Sequence, residues 1–164
     1  MKSLYIVRHA KSSWEFPELN DDERPLLPKG KKRTRKVISY LLEKQTRVDL
    51  IISSHAVRAY ETAKLIAKAI DYPVDRIDVR SRLYHADTDD LLNQLFAVPD
   101  EIDSVMMVGH NPGFTRFASY FDSAAPDWLP TSGIVKINFN TSRWNEILAV
   151  EPEPAFIVYP KMLR

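Results

Sequence analysis

The sequence predicts an α/β fold: a three-layer sandwich with a mostly parallel sheet, helices on both faces and a hairpin near the C-terminal end. Three observations predict it. Short apolar runs of strand length alternate with longer stretches of helical periodicity over the first two thirds of the chain, the pattern of repeated βαβ units. The best of those runs are apolar throughout, as strands covered on both faces are. And 164 residues with 45% hydrophobic content suffice for one full core. No internal repeat or low-complexity linker divides the chain, so residues 1–164 are expected to form a single domain.

The elements follow in order. Residues 4–7 (L-Y-I-V) read as a buried strand. A polar, proline-bearing stretch over 11–28 is long for a loop, and loops of that length are usually functional or mobile. Helical periodicity over 31–44 puts Val37, Ile38, Leu41 and Leu42 on one stripe. Residues 50–52 form a second strand, and a helix follows through Ala59, Ala63, Ile66, Ala67 and Ile70. Alternation over 74–79 predicts a strand nearer the edge. Residues 89–96 form a short helix with Leu91, Leu92 and Leu95 inward, and 105–108 (V-M-M-V) a third buried strand. A helix over 112–121 takes Asn111 as N-cap and Pro112 at its first position. Ile134, Val135, Ile137 and Phe139 lie in a strand, and a turn at 140–142 leads into a hairpin partner over 144–150. The proline-rich tail after Glu151 receives no assignment.

Composition narrows the function. Twenty-three Lys and Arg against 22 Asp and Glu leave a formal charge of +1, so there is no global attraction to nucleic acid or an anionic membrane. Cysteine is absent, which excludes disulfides and thiolate metal sites. The apolar run at the N-terminus is too short for a signal peptide, and no stretch approaches a membrane span. A cytoplasmic protein is expected.

Three strand ends carry unusual polar clusters. The first strand runs into Arg8-His9, the second into Ser53-Ser54 with Arg58 one turn into the next helix, the third into Gly109-His110 before Asn111. In open α/β sheets, ligands sit at the carboxyl ends of strands, against helix N-termini. Two guanidiniums with backbone N–H groups suit a phosphate dianion. Carboxylates are missing at the strand ends, which argues against magnesium. Two histidines fall short of a zinc set, and adjacent arginines would repel the cation. No metal and no cofactor is expected.

Covalent catalysis by imidazole fits best. One imidazole nitrogen attacks phosphorus in line while the guanidiniums hold the equatorial oxygens. Arg8 and Arg58 are expected to keep the attacking histidine neutral. The other histidine, protonated or donating through one nitrogen, binds a phosphoryl oxygen. Taken singly, each piece also fits a plain role: an arginine on a solvated helix face, a histidine filling a hydrogen bond. Their joint placement favours a site. His55 reads as a first-turn helix residue.

The motifs together resemble the histidine phosphatase superfamily. R-H-A-K at residues 8–11 is similar to its R-H-G signature. E-R-P-L-L-P-K-G at 23–30 resembles the E-R-P-L-T-x-x-G element of its small SixA-type branch. S-S-H-A-V-R-A-Y-E-T-A at 53–63 resembles S-S-P-x-x-R-A-x-x-T-A, and G-H-N-P-G at 109–113 matches the second-histidine element. The resemblance implies a phosphoglycerate mutase-like sandwich, His9 as nucleophile, and Arg8, Arg58 and His110 as the rest of the phosphate pocket. It brings Ser13, Arg24 and Asn111 to the pocket wall as substrate-binding residues. Ala10 replaces the signature glycine and Leu27 the usual threonine. Many relatives carry an L-x-E element that supplies a general acid. Here Leu83-Tyr84-His85 puts histidine there, so His85 or Asp87 is the candidate acid, with a surface role for His85 as the alternative. The short stretch from Leu83 to Val105 leaves little chain for a lid.

The resemblance implies a phosphohistidine protein phosphatase acting on a phosphorylated protein, such as a histidine phosphotransfer domain. The alternatives are a phosphomonoesterase for a small phosphorylated molecule, a mutase disfavoured by the missing lid, and a non-catalytic phosphate-binding module. Nucleic-acid binding would rest on K-G-K-K-R-T-R-K at 29–36, better read as the solvated face of a helix and a possible attraction for an acidic protein partner.

Overall fold

A computed structural model describes all of residues 1–164. Six strands form one sheet in the order β3-β2-β4-β1-β5-β6: β1 (Lys2–Arg8), β2 (Leu50–Ser53), β3 (Asp78–Val79), β4 (Ser104–Gly109), β5 (Ile134–Phe139) and β6 (Pro152–Val158). β3, β2, β4 and β1 run parallel, whereas β5 and β6 are antiparallel to their neighbours. Alternate side chains of the central strands enter opposite cores. Leu4 and Ile6 of β1, with Val105 and Met107 of β4, face one layer. Tyr5, Val7, Met106 and Val108 face the other. This two-sided burial explains why these strands read as unbroken apolar runs.

Helix α1 (Pro28–Glu43) and α2 (Val57–Ala69) cover one face. Helix α3 (Thr88–Phe96) and α4 (Gly113–Phe121) cover the other. The α1 N-terminus packs directly on the segment after β1: a Cβ on Gly30 would stand 2.4 Å from the Lys11 carbonyl oxygen. α4 begins one residue later than expected, so Pro112 and not Asn111 is its N-cap residue; Asn111, one position earlier, still accepts through its side-chain oxygen from the amide and hydroxyl of Thr115. No helix is long and apolar enough to cross a membrane.

Four further expectations are corrected. The hairpin partner of β5 is Pro152–Val158, not 144–150. Residues Trp144–Ala149 form a 3-10 helix that drops Trp144 into the core, its indole N–H on the Ile102 carbonyl. Prolines in β6 are tolerated because it is the sheet edge, where missing donors face solvent. Half of 74–79 is a 3-10 turn, Val74–Arg76, leaving only two residues of strand. Leu42 lies off the buried stripe and is half exposed. His55 precedes α2 rather than joining its first turn. One buried group had no signal in the sequence. Lys2 is fully buried, its ammonium bonded to the Asp100 and Ile102 carbonyls and to Asp103.

Candidate active site

The loops after β1, β2 and β4 are stitched together by hydrogen bonds. His9 N donates to Gly109 O at 3.0 Å, and Ser54 N to Val108 O at 3.0 Å. Ala10 N donates to Thr62 Oγ1 at 2.8 Å, and that hydroxyl donates to Arg58 O at 2.7 Å. The loop carrying His9 is thereby fixed to the helix carrying Arg58. Ala10 avoids the left-handed backbone region, so it substitutes for glycine without strain.

His9 is 7% exposed, and its ring centroid lies 5.2 Å from that of His110. His9 Nδ1 is 2.7 Å from the Ala10 carbonyl oxygen. A carbonyl only accepts, so Nδ1 carries the proton and Nε2 holds the free lone pair. Burial lowers the His9 pKa to about 3; the bond to Ala10 opposes this, and Arg58, Arg8 and Arg24 push the same way as burial. Desolvation thus outweighs the arginines, whose lowering effect the sequence suggested. His110 is lowered to about 2 by burial, then by His9 and Arg58, with Asp21 opposing. Both rings are neutral at pH 7. His110 Nε2 lies 2.8 Å from Ser54 Oγ, and its Nδ1 has no partner.

The arginines are held from behind. Arg8 Nη1 donates to Leu129 O at 3.0 Å. Arg58 donates from Nη1 to the Asp21 carbonyl at 2.6 Å and from Nη2 to its carboxylate at 2.9 Å. Arg24 donates from Nε to Asp21 Oδ1 at 3.2 Å and from Nη1 to Ser12 Oγ at 2.8 Å. Buried Arg8 Nε and Arg58 Nε have no partner, like His110 Nδ1; the one other such atom in the chain is Thr46 Oγ1. Unpaired buried donors each cost roughly 1–3 kcal/mol, so two guanidinium Nε–H groups beside an open His110 nitrogen mark a place adapted to an acceptor.

Asp21 is the residue the sequence reading missed. It lies in a 3-10 turn, Asp21–Glu23, inside the long loop, and its carboxylate also accepts from the Tyr84 hydroxyl. Burial would raise its pKa, but hydrogen bonds from Tyr84 and Arg58, with the charges of Arg58 and Arg24, hold it at about 2. Its pairing with Arg58 is not written in any local pattern: the two are 37 positions apart.

A cavity of about 760 Å³ opens over these groups. Of the residues singled out in the sequence, Arg8, His9, Arg24, Arg58, His110 and Asn111 line it. Ser13 does not; its hydroxyl accepts from Glu15 N, and Ser12 takes the wall position instead. Asn111 has its amide committed to Leu129 O as well as to Thr115 of α4. His85 and Asp87 are exposed and outside the cavity wall. Asp87 caps α3, accepting from Asp90 N at 2.8 Å. His85 stacks edge-on against Tyr84 with centroids 4.0 Å apart. The wall also includes Trp14 and Trp128, which are 77% and 56% exposed and lie over Arg24 and Arg8 respectively. No three His, Asp or Glu side chains gather in an arrangement able to hold a metal ion.

The histidine phosphatase superfamily (branch 1) matches residues 4–90, more than half of the chain. The protein therefore belongs to the histidine phosphatase superfamily. An uncharacterized protein of Mycobacterium tuberculosis (strain H37Rv) is 30% identical over 163 residues, spanning 93% of this chain and 96% of that one. Among solved structures, a SixA protein of Agrobacterium tumefaciens superposes with a TM-score of 0.80 at 26% identity, covering 97% of this chain and 98% of that one. The protein histidine phosphatase SixA in complex with tungstate gives 0.83 at 19% identity, covering 99% of both chains. The phosphoglycerate mutase-like sandwich expected from the sequence is the fold observed.

Proposed function

We propose that this phosphatase acts on phosphohistidine in a protein, through a covalent phosphohistidine on His9 and without a metal ion. The observation that carries the reading is the His9 ring: Nδ1 is tied to the Ala10 carbonyl, so a neutral Nε2 faces a pocket walled by arginines. Nε2 attacks phosphorus in line. The new N–P bond forms as the bond to the leaving group breaks, and the leaving group takes a proton from solvent. Arg8 and Arg58 stabilise the equatorial oxygens, and His110 donates through one nitrogen. Water then attacks phosphorus, releases phosphate and restores the His9 lone pair.

Substrate class follows from proton supply. Asp87 is committed to a helix cap, and His85, although its charge reaches His110, is solvent-exposed and outside the cavity wall. An alkoxide leaving group needs an acid; the imidazole of phosphohistidine leaves more readily. A similarity to SixA proteins agrees with this choice. A small phosphorylated molecule is the second reading, favoured by the exposed faces of Trp14 and Trp128 at the cavity.

The test is twofold. Rapid quenching with labelled substrate should trap acid-labile, base-stable label on His9, with none in His9→Ala and no loss of turnover after exhaustive chelation. Steady-state comparison should give a higher kcat/KM for phosphohistidine peptides than for sugar phosphates. Label on another residue, or sugar phosphates turned over faster, overturns the reading.

A further inference from the structure

The catalytic cavity does not end at the arginines. It shares Arg33 and Thr131 with a second hollow of about 470 Å³ between α1 and the C-terminal segment, which Lys36 and Lys161 also line. That hollow shares Lys36 with a third, which adds Lys32, Arg35 and Arg164. Together they form a trough leading away from His9 along α1.

The sequence explains its charge. Lys29, Arg33 and Lys36 recur at i, i+4 and i+7, one stripe of α1, spanning about 10 Å along the axis. The contact of Gly30 with Lys11 presses this end of α1 against the catalytic loop, so the stripe starts where the pocket ends. Lys29 and Arg33 lie close enough to Lys11 to lower its pKa, Lys29 foremost. None of these cations has a carboxylate partner among the ion pairs of the chain. The second hollow has no acidic residue in its wall, the catalytic cavity only Glu15, and the third only Glu43. With a net charge of +1, the rest of the surface must carry an excess of acids. Basic charge is thus concentrated on one track that begins at the reacting group. A uniform polyanion would meet repulsion beyond the trough, whereas a protein with a local acidic patch would not.

We propose that this trough is a docking surface for an acidic stretch of the phosphoprotein substrate, lying beside its phosphohistidine. The inference rests on the phosphohistidine reading and extends it to the partner's charge. Lys36 and Lys161 do not touch the reacting group; they select and orient the protein that carries it.

Two chemically phosphorylated peptides test it, one with glutamates four to ten residues from the phosphohistidine and one with glutamines there. At low salt the acidic peptide should show a kcat/KM about 10-fold higher, mainly through KM, and the gap should close near ~0.5 M salt as screening sets in. The double variant Lys36→Glu/Lys161→Glu should lose the preference while turning over aryl phosphates as the wild type does. The unphosphorylated acidic peptide should inhibit aryl phosphate turnover more strongly than the neutral one and than single-stranded DNA of equal charge. Equal kcat/KM for the two peptides, a preference that survives in the double variant, or stronger inhibition by DNA overturns the docking surface. If neither peptide is hydrolysed while aryl phosphates are, the phosphohistidine reading fails; the inhibition series still decides whether the trough prefers acidic peptide.

Discussion

Arg58 meets Asp21 twice, through the backbone carbonyl at 2.6 Å and the carboxylate at 2.9 Å. The guanidinium that would face a phosphoryl group is already half neutralised by its own support. Asp21→Asn keeps an oxygen for Arg58 and Tyr84 but removes the negative charge. Inorganic phosphate and tungstate should therefore inhibit about 3–10-fold more tightly, since a dianion then meets one more uncompensated cation. Weaker inhibition would mean that the carboxylate's orienting role outweighs its charge.

Arg58→Ala should lower kcat/KM by roughly 10²–10⁴-fold, the range for losing a charge-stabilising donor at such a site. Arg58→Lys should recover only part, because a single ammonium cannot reach both Asp21 oxygens and a phosphoryl oxygen. A loss of less than a few-fold in the alanine variant would place Arg58 outside the chemistry.

Acid should destabilise the fold through the site itself. His9 and His110 have folded pKa values of about 3 and about 2, against about 6.5 in an unfolded chain. Between those values the unfolded chain binds more protons. The stability these rings contribute is complete above pH 6.5 and declines as pH falls toward 3, by up to about 1.4 kcal/mol per pH unit for each histidine. Urea midpoints from pH 7 to 4 should fall steeply in the wild type and less in His9→Gln/His110→Gln. An unchanged slope would locate acid sensitivity elsewhere. For the same reason kcat/KM should show no acid limb near pH 6.5 from His9.

Asp87 and His85 should separate stability from catalysis. Asp87→Ala removes the α3 cap and should lower Tm by a few degrees with kcat/KM on phosphohistidine unchanged. His85→Ala should leave the dependence of rate on leaving-group pKa as steep as in the wild type. A dependence that steepens only in the variant would identify His85 as a working acid.

The sequence exposed what depends on short segments. Apolar runs ending in Arg8-His9, Ser53-Ser54 and Gly109-His110 were visible because each is a strand buried on both faces that stops at a polar cluster. Asp21 and Tyr84 were not visible, because their link to Arg58 is made by a loop folding back across the site. Trp144 misled for a related reason. The turn residues at 140–142 pointed to a hairpin, yet Trp144 and Ile147, three positions apart, enter the core from a 3-10 turn beside Ile102. Ser13 was the wrong serine: Ser12, bridged to Leu26, lines the cavity instead.

The backbone around His9 has almost nothing left to rearrange. Arg8 N, His9 N and Ala10 N are bonded to Gly133, Gly109 and Thr62, and the Arg8 and His9 carbonyls both accept from Ser132 N. Amide exchange with deuterium at these positions should therefore proceed only as fast as the central sheet opens. The His9 ring hangs from a stretch of chain whose amides are all hydrogen-bonded. Its alignment is fixed once, when the protein folds, and is inherited unchanged by every later turnover.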